Sequence, residues 1–399
     1  MANSLLTSTM VTREALRILH QKLNFVGSIN RTYDSSFANE GAKIGDSLKI
    51  RLPNQYTVRS GATLSAQDTT ETSTTLQVAT QKGVDVNFTT AELTMDIDSF
   101  SQRILEPAMS VLAANIEADA LNMYKDVYNQ VGTAGTTPNT LKVLNQARAK
   151  LAKGLAPTDN RCTILNPDAQ VEIVDAVKGL FQDSGKIAKQ YREGLMGRTA
   201  GFGSIYENTL IPTHTNGSMG GTPLVDTASA ADGDATLHID GVTSGNTWTQ
   251  GTVFTIAGVN RVHPETKEDT GELQQFVVTA DTTFTGGEAD VPISPALHSA
   301  GADQVISALP SDNDAITVVG SASTGYAQNL AFHKDAFAFA TADLLMPKGV
   351  DFGAREVLAG ISMRIVRDYD INNDKLPCRI DVLYGYKTIR PELATRITG

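Results

Sequence analysis

The stretch Asp98 to Tyr128, DSFSQRILEPAMSVLAANIEADALNMYKDVY, constrains this chain more than any other. Apolar residues at Phe100, Ile104, Val111, Leu112, Ile116, Leu121, Tyr124 and Val127 recur near the three-to-four spacing of one helix face. Asp98 or Ser99 can cap the start by accepting N–H bonds that the first turn leaves free. Carried to Tyr128, such a helix is about 45 Å long at 1.5 Å per residue, longer than an ordinary globular helix. Pro107 lacks an N–H, so it either kinks the helix or marks its true first turn. A Thr-rich β pattern precedes this stretch and a Gly-Thr break follows it. The helix therefore reads as a spine from which the rest of the chain hangs.

On its N-terminal side, Thr12 to Val26 reads as an amphipathic helix with Leu16, Leu19, Leu23 and Val26 on one stripe. Packing on its own domain and docking on a neighbour are both open to it. From Ser47 the period becomes two, with Leu48, Ile50 and Leu52, then Leu76, Val78, Val84, Val86 and Phe88. Between these runs lies RSGATLSAQDTTET, a polar loop tip. Two strands cannot bury both faces alone, so this hairpin must lie on its own body or on another subunit. Arg59, Asp68 and Glu71 in the tip suit polar contact with a surface.

After the spine, Gly132 to Pro138 is a break and Thr140 to Lys153 a helix ending at Gly154. Cys162 to Leu165 is a short buried strand, and Asn166 or Pro167 opens a helix through Val177. Leu195 to Asn208 is a Gly-rich turn leading into a strand. Near Asn216 the composition changes to Gly, Thr, Asp and Val. Candidate strands there are Thr236–Ile239, Thr252–Ile256, Gln274–Thr279, Asp290–Ile293 and Ala315–Val319. Short strands between turn signals predict an inserted small β-barrel or sandwich. The tail carries two alternating runs, Ala359–Arg367 and Cys378–Tyr386, on either side of DYDINNDKLP, the pattern of a hairpin.

With 399 residues, roughly two to four domains are expected. A formal net charge of −11, with no local basic cluster, argues against binding nucleic acid or an anionic membrane. Two distant cysteines, Cys162 and Cys378, suggest neither a disulfide framework nor a metal site, which fits a reducing cytoplasm. No apolar run is long enough to span a membrane.

Catalytic and ligand motifs fail one by one. Asp370, Asn372, Asp374 and Asp381 fall on calcium-loop positions, but Lys375 stands where glycine is required. Gly320 and Gly325 have phosphate-loop spacing, but Tyr326 replaces the lysine. The six histidines are isolated. Glu117 and Asp119, two apart on a helix, face different ways and make no carboxylate pair. The residues imply no enzyme, cofactor or metal site.

Taken in order, an arm, a long hairpin, a spine helix, a βα domain, an inserted β-domain and a closing strand pair resemble the tailed-bacteriophage major capsid protein. EPAMSVLAANIEADAL resembles that family's spine helix, and YAQNLAFHKDAFAFATADL the return from the insertion. CRIDVLYGYKTIRPE resembles the closing strand, and VFTIAGVNRVHPETKE the insert's central strand and turn. Within the family the chain is most similar to the Salmonella short-tailed phage coat proteins, which carry such an insertion.

The resemblance implies an α+β, Hong Kong 97-like capsid fold with an arm (1–45) and an extended loop (46–88). It further implies a peripheral domain (89–130 and 346–399), an axial domain (131–215 and 322–345) and an inserted β-barrel (216–321). It implies hexamers and pentamers of one chain forming an icosahedral head shell around double-stranded DNA, with no enzyme activity and no cofactor. Separate scaffolding, portal and decoration proteins would be the partners, and the shell would be assembled in the host cytoplasm. In the short-tailed phage relative, a charged loop early in the insert bridges neighbouring capsomers. The matching stretch here, TPLVDTASAADGDAT, has three Asp and no basic residue. Arg261–Glu272, with Arg261, Glu265, Lys267 and Glu268, is the better charged candidate for contact. Two rival readings are an encapsulin-type compartment shell and a β-rich surface-binding protein.

Overall fold

The structure, a computed structural model, describes residues 8–32, 47–59, 61–64, 66–68, 71–87, 105–177, 200–226, 230–350, 352–358, 361–370 and 377–399. The chain folds into two compact units. One comprises residues 1–51, 73–121 and 337–389, the other 52–72, 122–336 and 390–399.

In the first unit, the spine α-helix spans Glu106–Leu121, short of the expected end at Tyr128, because Asn122–Asp126 tightens into a 3-10 helix. Pro107 falls in its first turn, where a missing N–H removes no intrahelical bond. Phe100, Ile104 and the two candidate caps lie outside the described residues. The buried stripe runs through Ala108, Met109, Leu112, Ala113, Ile116, Ala120 and Leu121, and small alanines let neighbours approach. Val111 was expected on that stripe but is exposed, because it sits about 100° round the helix from Leu112. The arm helix, Ser8–Lys22, buries Val11, Ala15, Leu16, Ile18 and Leu19 against the spine and the strand Phe352–Leu358. Of the two fates open to the arm, packing on its own unit is the one observed.

The sheet of this unit is built on the long strand Pro377–Thr388. Ile361–Arg367 and Phe337–Ala342 pair along one side of it, and Phe352–Leu358 extends the sheet. The predicted tail hairpin is present, with Arg367 opposite Cys378, while residues 371–376 of its turn lie outside the described residues. The expected single hairpin over 46–88 is corrected. Ser47–Arg51 pairs with Ser73–Gln77 over five residue pairs only. Thr80–Asn87 then leaves and runs antiparallel along Pro377–Thr388, which satisfies those of its backbone groups that face that strand. The hairpin base is not isolated, since Ile50, Leu76 and Val78 pack with Ala338, Ala340, Ala342 and Leu344. Gly385 permits this approach: a Cβ there would lie 2.0 Å from the carbonyl oxygen of Gln77.

In the second unit, a mixed sheet runs in the order Gln130–Gly132, Ala394–Thr398, Gly325–His333, Arg161–Leu165, Ser204–Glu207. The last strand of the chain thus lies inside this unit. Helices Leu141–Lys153 and Pro167–Val177 fall where the sequence places them. Asn166 caps the second of these, its Oδ1 accepting the N–H of Ala169 at 3.1 Å, with Pro167 as the first helical residue.

The insert is a six-stranded sheet ordered Ile316–Val318, Val253–Val262, Asp269–Val278, Ala289–Ser294, Thr236–Val242, Gly221–Val225. All five predicted strands occur, and Gly221–Val225 is an addition. Its two end strands meet: Leu224 bridges Ala315, and the N–H of Val225 donates to Asp314 O at 3.0 Å. The sheet is therefore nearly closed as a barrel, which leaves little open edge. The barrel is filled by Trp248, Phe254, Phe276 and Phe284, with neighbouring rings 5.5–5.7 Å apart.

Candidate functional site

The ladder of the hairpin ends at the bond from Leu52 N–H to Thr72 O, 2.9 Å long. Beyond it the loop is held by side chains. The Gln67 amide imitates a strand partner for Thr57: its Oε1 accepts the Thr57 N–H at 2.9 Å and its Nε2 donates to the Thr57 carbonyl at 2.6 Å. Arg59 donates to the carbonyls of Gly61 and Thr63. Asp68 and Glu71 are exposed, as the sequence suggested. The tip is less polar than its composition implies, because Tyr56, Val58 and Leu64 are also exposed.

The charged turn of the insert joins Val253–Val262 to Asp269–Val278. Glu265 and Glu268 are exposed. Lys267 adopts φ +60 and is half-buried, its Nζ donating to Gln55 Oε1 at 3.2 Å and to Gln304 O at 3.3 Å. Burial lowers the pKa of its ammonium. The structure thus brings Lys267 against the base of the loop that carries Arg59, a contact between two separately predicted regions. Arg261 differs from expectation. It is only 8% exposed, and its Nη2 donates to Lys153 O at 2.7 Å, capping the end of helix Leu141–Lys153. Its guanidinium is used within its own unit.

Around Arg261 the insert is fastened to the mixed-sheet body. Glu272 pairs with Lys153 and lies 4.0 Å from Lys150, and the Lys153 hydrogen bond holds the Glu272 carboxyl below its ordinary pKa. Gln130 and Gln275 bond reciprocally, each side-chain or backbone partner at 3.0 Å. Arg396, fully buried on the final strand, donates to Gly251 O at 2.6 Å and lies over the Tyr124 ring. Neither glutamine carried a sequence signal, since neither belongs to a motif.

Chemical groups elsewhere serve structure. His214 is buried between Tyr124 Oη (3.2 Å) and Thr252 Oγ1 (3.4 Å), and burial followed by the charges of Arg396 and Lys125 pushes its pKa down to about 4. Glu117 and Asp119 do face different ways: Glu117 meets the backbone of residues 24–26, and Asp119 meets Tyr384 and Lys82. Asp381 is buried against Arg364 at 2.6 Å. Burial pushes the Cys378 thiol up to about 12. Among the described residues no group of three or more His, Cys, Asp or Glu is arranged to hold a metal, and no helix is long and apolar enough to cross a membrane.

No curated protein matches the sequence. Among solved structures, one from Mycobacterium phage Che8 is similar at 13% identity, covering 94% of this chain and 90% of that chain with a TM-score of 0.47. The capsid of Ralstonia phage GP4 is similar at 9% identity, covering 94% and 91% with a TM-score of 0.43. The CUS-3 coat protein I-domain is 29% identical over 27% of this chain and 97% of that chain, with a TM-score of 0.17. The profile of the P22 coat protein family, gene protein 5, matches residues 1–399. The chain belongs to the P22 coat protein family: it is a structural, non-enzymatic major capsid protein of the virion, and its copies form the icosahedral shell.

Proposed function

We propose that copies of this chain associate as hexamers and pentamers that enclose double-stranded DNA, each reaching a neighbour through loop 52–72. The supporting observation is the loop itself, whose backbone ladder stops at Leu52–Thr72 while large apolar groups stay exposed. Exposed apolar groups on a preformed loop are a mark of an interaction surface. Arg59, Asp68, Glu71, Glu265 and Glu268 are the polar rim of such contacts. In this reading residues 1–45 are the arm, 52–72 the extended loop, the rest of the first compact unit the peripheral domain, 216–321 the insert, and the remainder of the second unit the axial domain. A separate scaffolding protein, a portal protein and a decoration protein complete the particle, which assembles in the host bacterial cytoplasm. The net charge of −11 suits a container that holds DNA without binding it specifically.

Negative-stain microscopy of the purified protein tests this: closed shells are expected, and particles no larger than a single capsomer overturn it. Purified subunits should not retard DNA at physiological salt, whereas a salt-sensitive micromolar complex counts against the enclosure reading. Family membership over the whole chain favours a phage coat over an encapsulin-type compartment. Packaged cargo enzyme, sought by mass spectrometry, discriminates the two.

A further inference from the structure

The negative charge of the chain is concentrated in one region. Of its 33 Lys and Arg and its 44 Asp and Glu, residues 216–321 hold two and 14, so the insert carries −12. The remainder, with 31 and 30, carries +1. Both basic residues of the insert are used internally. Arg261 is buried with its Nη2 on Lys153 O, and Lys267 is half-buried with its Nζ on Gln55 and Gln304. The carboxylates face water instead. Asp232, Asp281, Glu288, Asp290, Asp303 and Asp312 are exposed, and they are spread over several connections and one strand of the barrel. They coat the domain with one sign of charge and form no pocket.

A surface of one sign repels its own kind. Copies in a closed shell are related by rotations, which keep every insert on the same face of the shell. We infer that repulsion between the inserts of neighbouring copies opposes shell formation, so that salt, by screening it, sets the concentration at which shells form. The inference rests on the shell reading above and adds to it a control by ionic strength. Screening sets the reach: about 30 Å at 0.01 M salt, but about 10 Å at 0.1 M. A domain of about 100 residues has a radius of gyration near about 13 Å, so at low salt the field of one insert spans roughly its own diameter. At higher salt only carboxylates close to a contact are felt. The rest of the chain, nearly balanced in charge, adds little to this repulsion. Ion pairs between copies would respond in the opposite sense, because salt weakens attraction as well.

The test measures the concentration at which the full-length protein forms shells, by light scattering and microscopy, between about 0.01 and 0.3 M NaCl. That threshold should fall by about tenfold or more as salt rises. Asp281→Asn with Asp303→Asn and Asp312→Asn takes the insert from −12 to −9. Asn keeps the side-chain oxygen with which Asp281 accepts the Gln250 N–H. This variant should lower the threshold about threefold or more at low salt and match the parent at high salt. Asp168→Asn with Glu172→Gln and Glu207→Gln removes the same charge from exposed positions outside the insert, and should shift the threshold less than about twofold. A folding defect would raise the threshold at every salt concentration, so it cannot imitate the expected result. A threshold that rises with salt, or an equal shift in the two variants, overturns the inference and leaves the shell reading standing. Protein that forms no shells at any salt concentration removes the shell reading, and this inference with it.

Discussion

The buried carboxylate of Glu117, on the spine helix, accepts the backbone N–H of Phe25, together with those of Asn24 (3.1 Å) and Val26 (3.2 Å). One acidic side chain thereby closes the start of the short helix Phe25–Ser28 and ties the arm to the spine. Replacing Glu117 by Ala leaves two buried donors and a partly buried one without their carboxylate. A loss of about 3 kcal/mol in subunit stability is expected, read by urea denaturation. An unchanged midpoint would show that the arm is held by its apolar stripe alone.

Gly385 sits beneath Gln77, and its replacement by alanine forces backbone against a new methyl group. Gly385→Ala should cost about 2 kcal/mol or more by overpacking and loosen the hairpin base. Faster amide exchange confined to residues 47–51 and 73–77 would confirm the location of the damage.

Shortening the loop separates folding from assembly. Replacing Ser60–Thr70 with a two-residue Asn-Gly turn removes no buried residue among those described. The melting temperature of the subunit should be unchanged while shell formation fails. Normal shells from the shortened protein would show that the loop contacts only its own chain.

The sole tryptophan, Trp248, lies in the barrel core, so its fluorescence reports on the insert. Residues 217–321 expressed alone should be β-rich and unfold in one cooperative transition. A disordered spectrum would refute its autonomy.

His238 faces three carboxylates on the barrel: Asp290 at 2.7 Å, Asp226 at 3.8 Å and Glu288 at 3.9 Å. The Asp290 hydrogen bond raises its pKa above the ordinary 6.5. The stabilisation is therefore complete below the unfolded value and disappears as pH rises through the raised folded value. His238→Asn should lower the melting temperature more at about pH 5.5 than at about pH 9. An equal deficit at both would mean that the imidazolium charge contributes nothing.

Local rules determined much of this protein. Thr140 to Lys153, Cys162 to Leu165 and the five barrel strands were legible because periodicity and turn chemistry act over a few residues. The spine stripe was half legible, Leu112 and Ile116 correctly and Val111 not, since hydrophobicity cannot say which side a partner covers. Only the tertiary structure decided that Thr80–Asn87 pairs with residues nearly three hundred positions away in sequence. It also placed Arg261 on the end of a helix instead of at the surface, and left Val58 and Leu64 uncovered. Each of these outcomes depends on what the folded chain brings alongside a residue. Sequence fixes how a segment prefers to coil, whereas burial and pairing are properties of the neighbours that arrive from elsewhere in the chain.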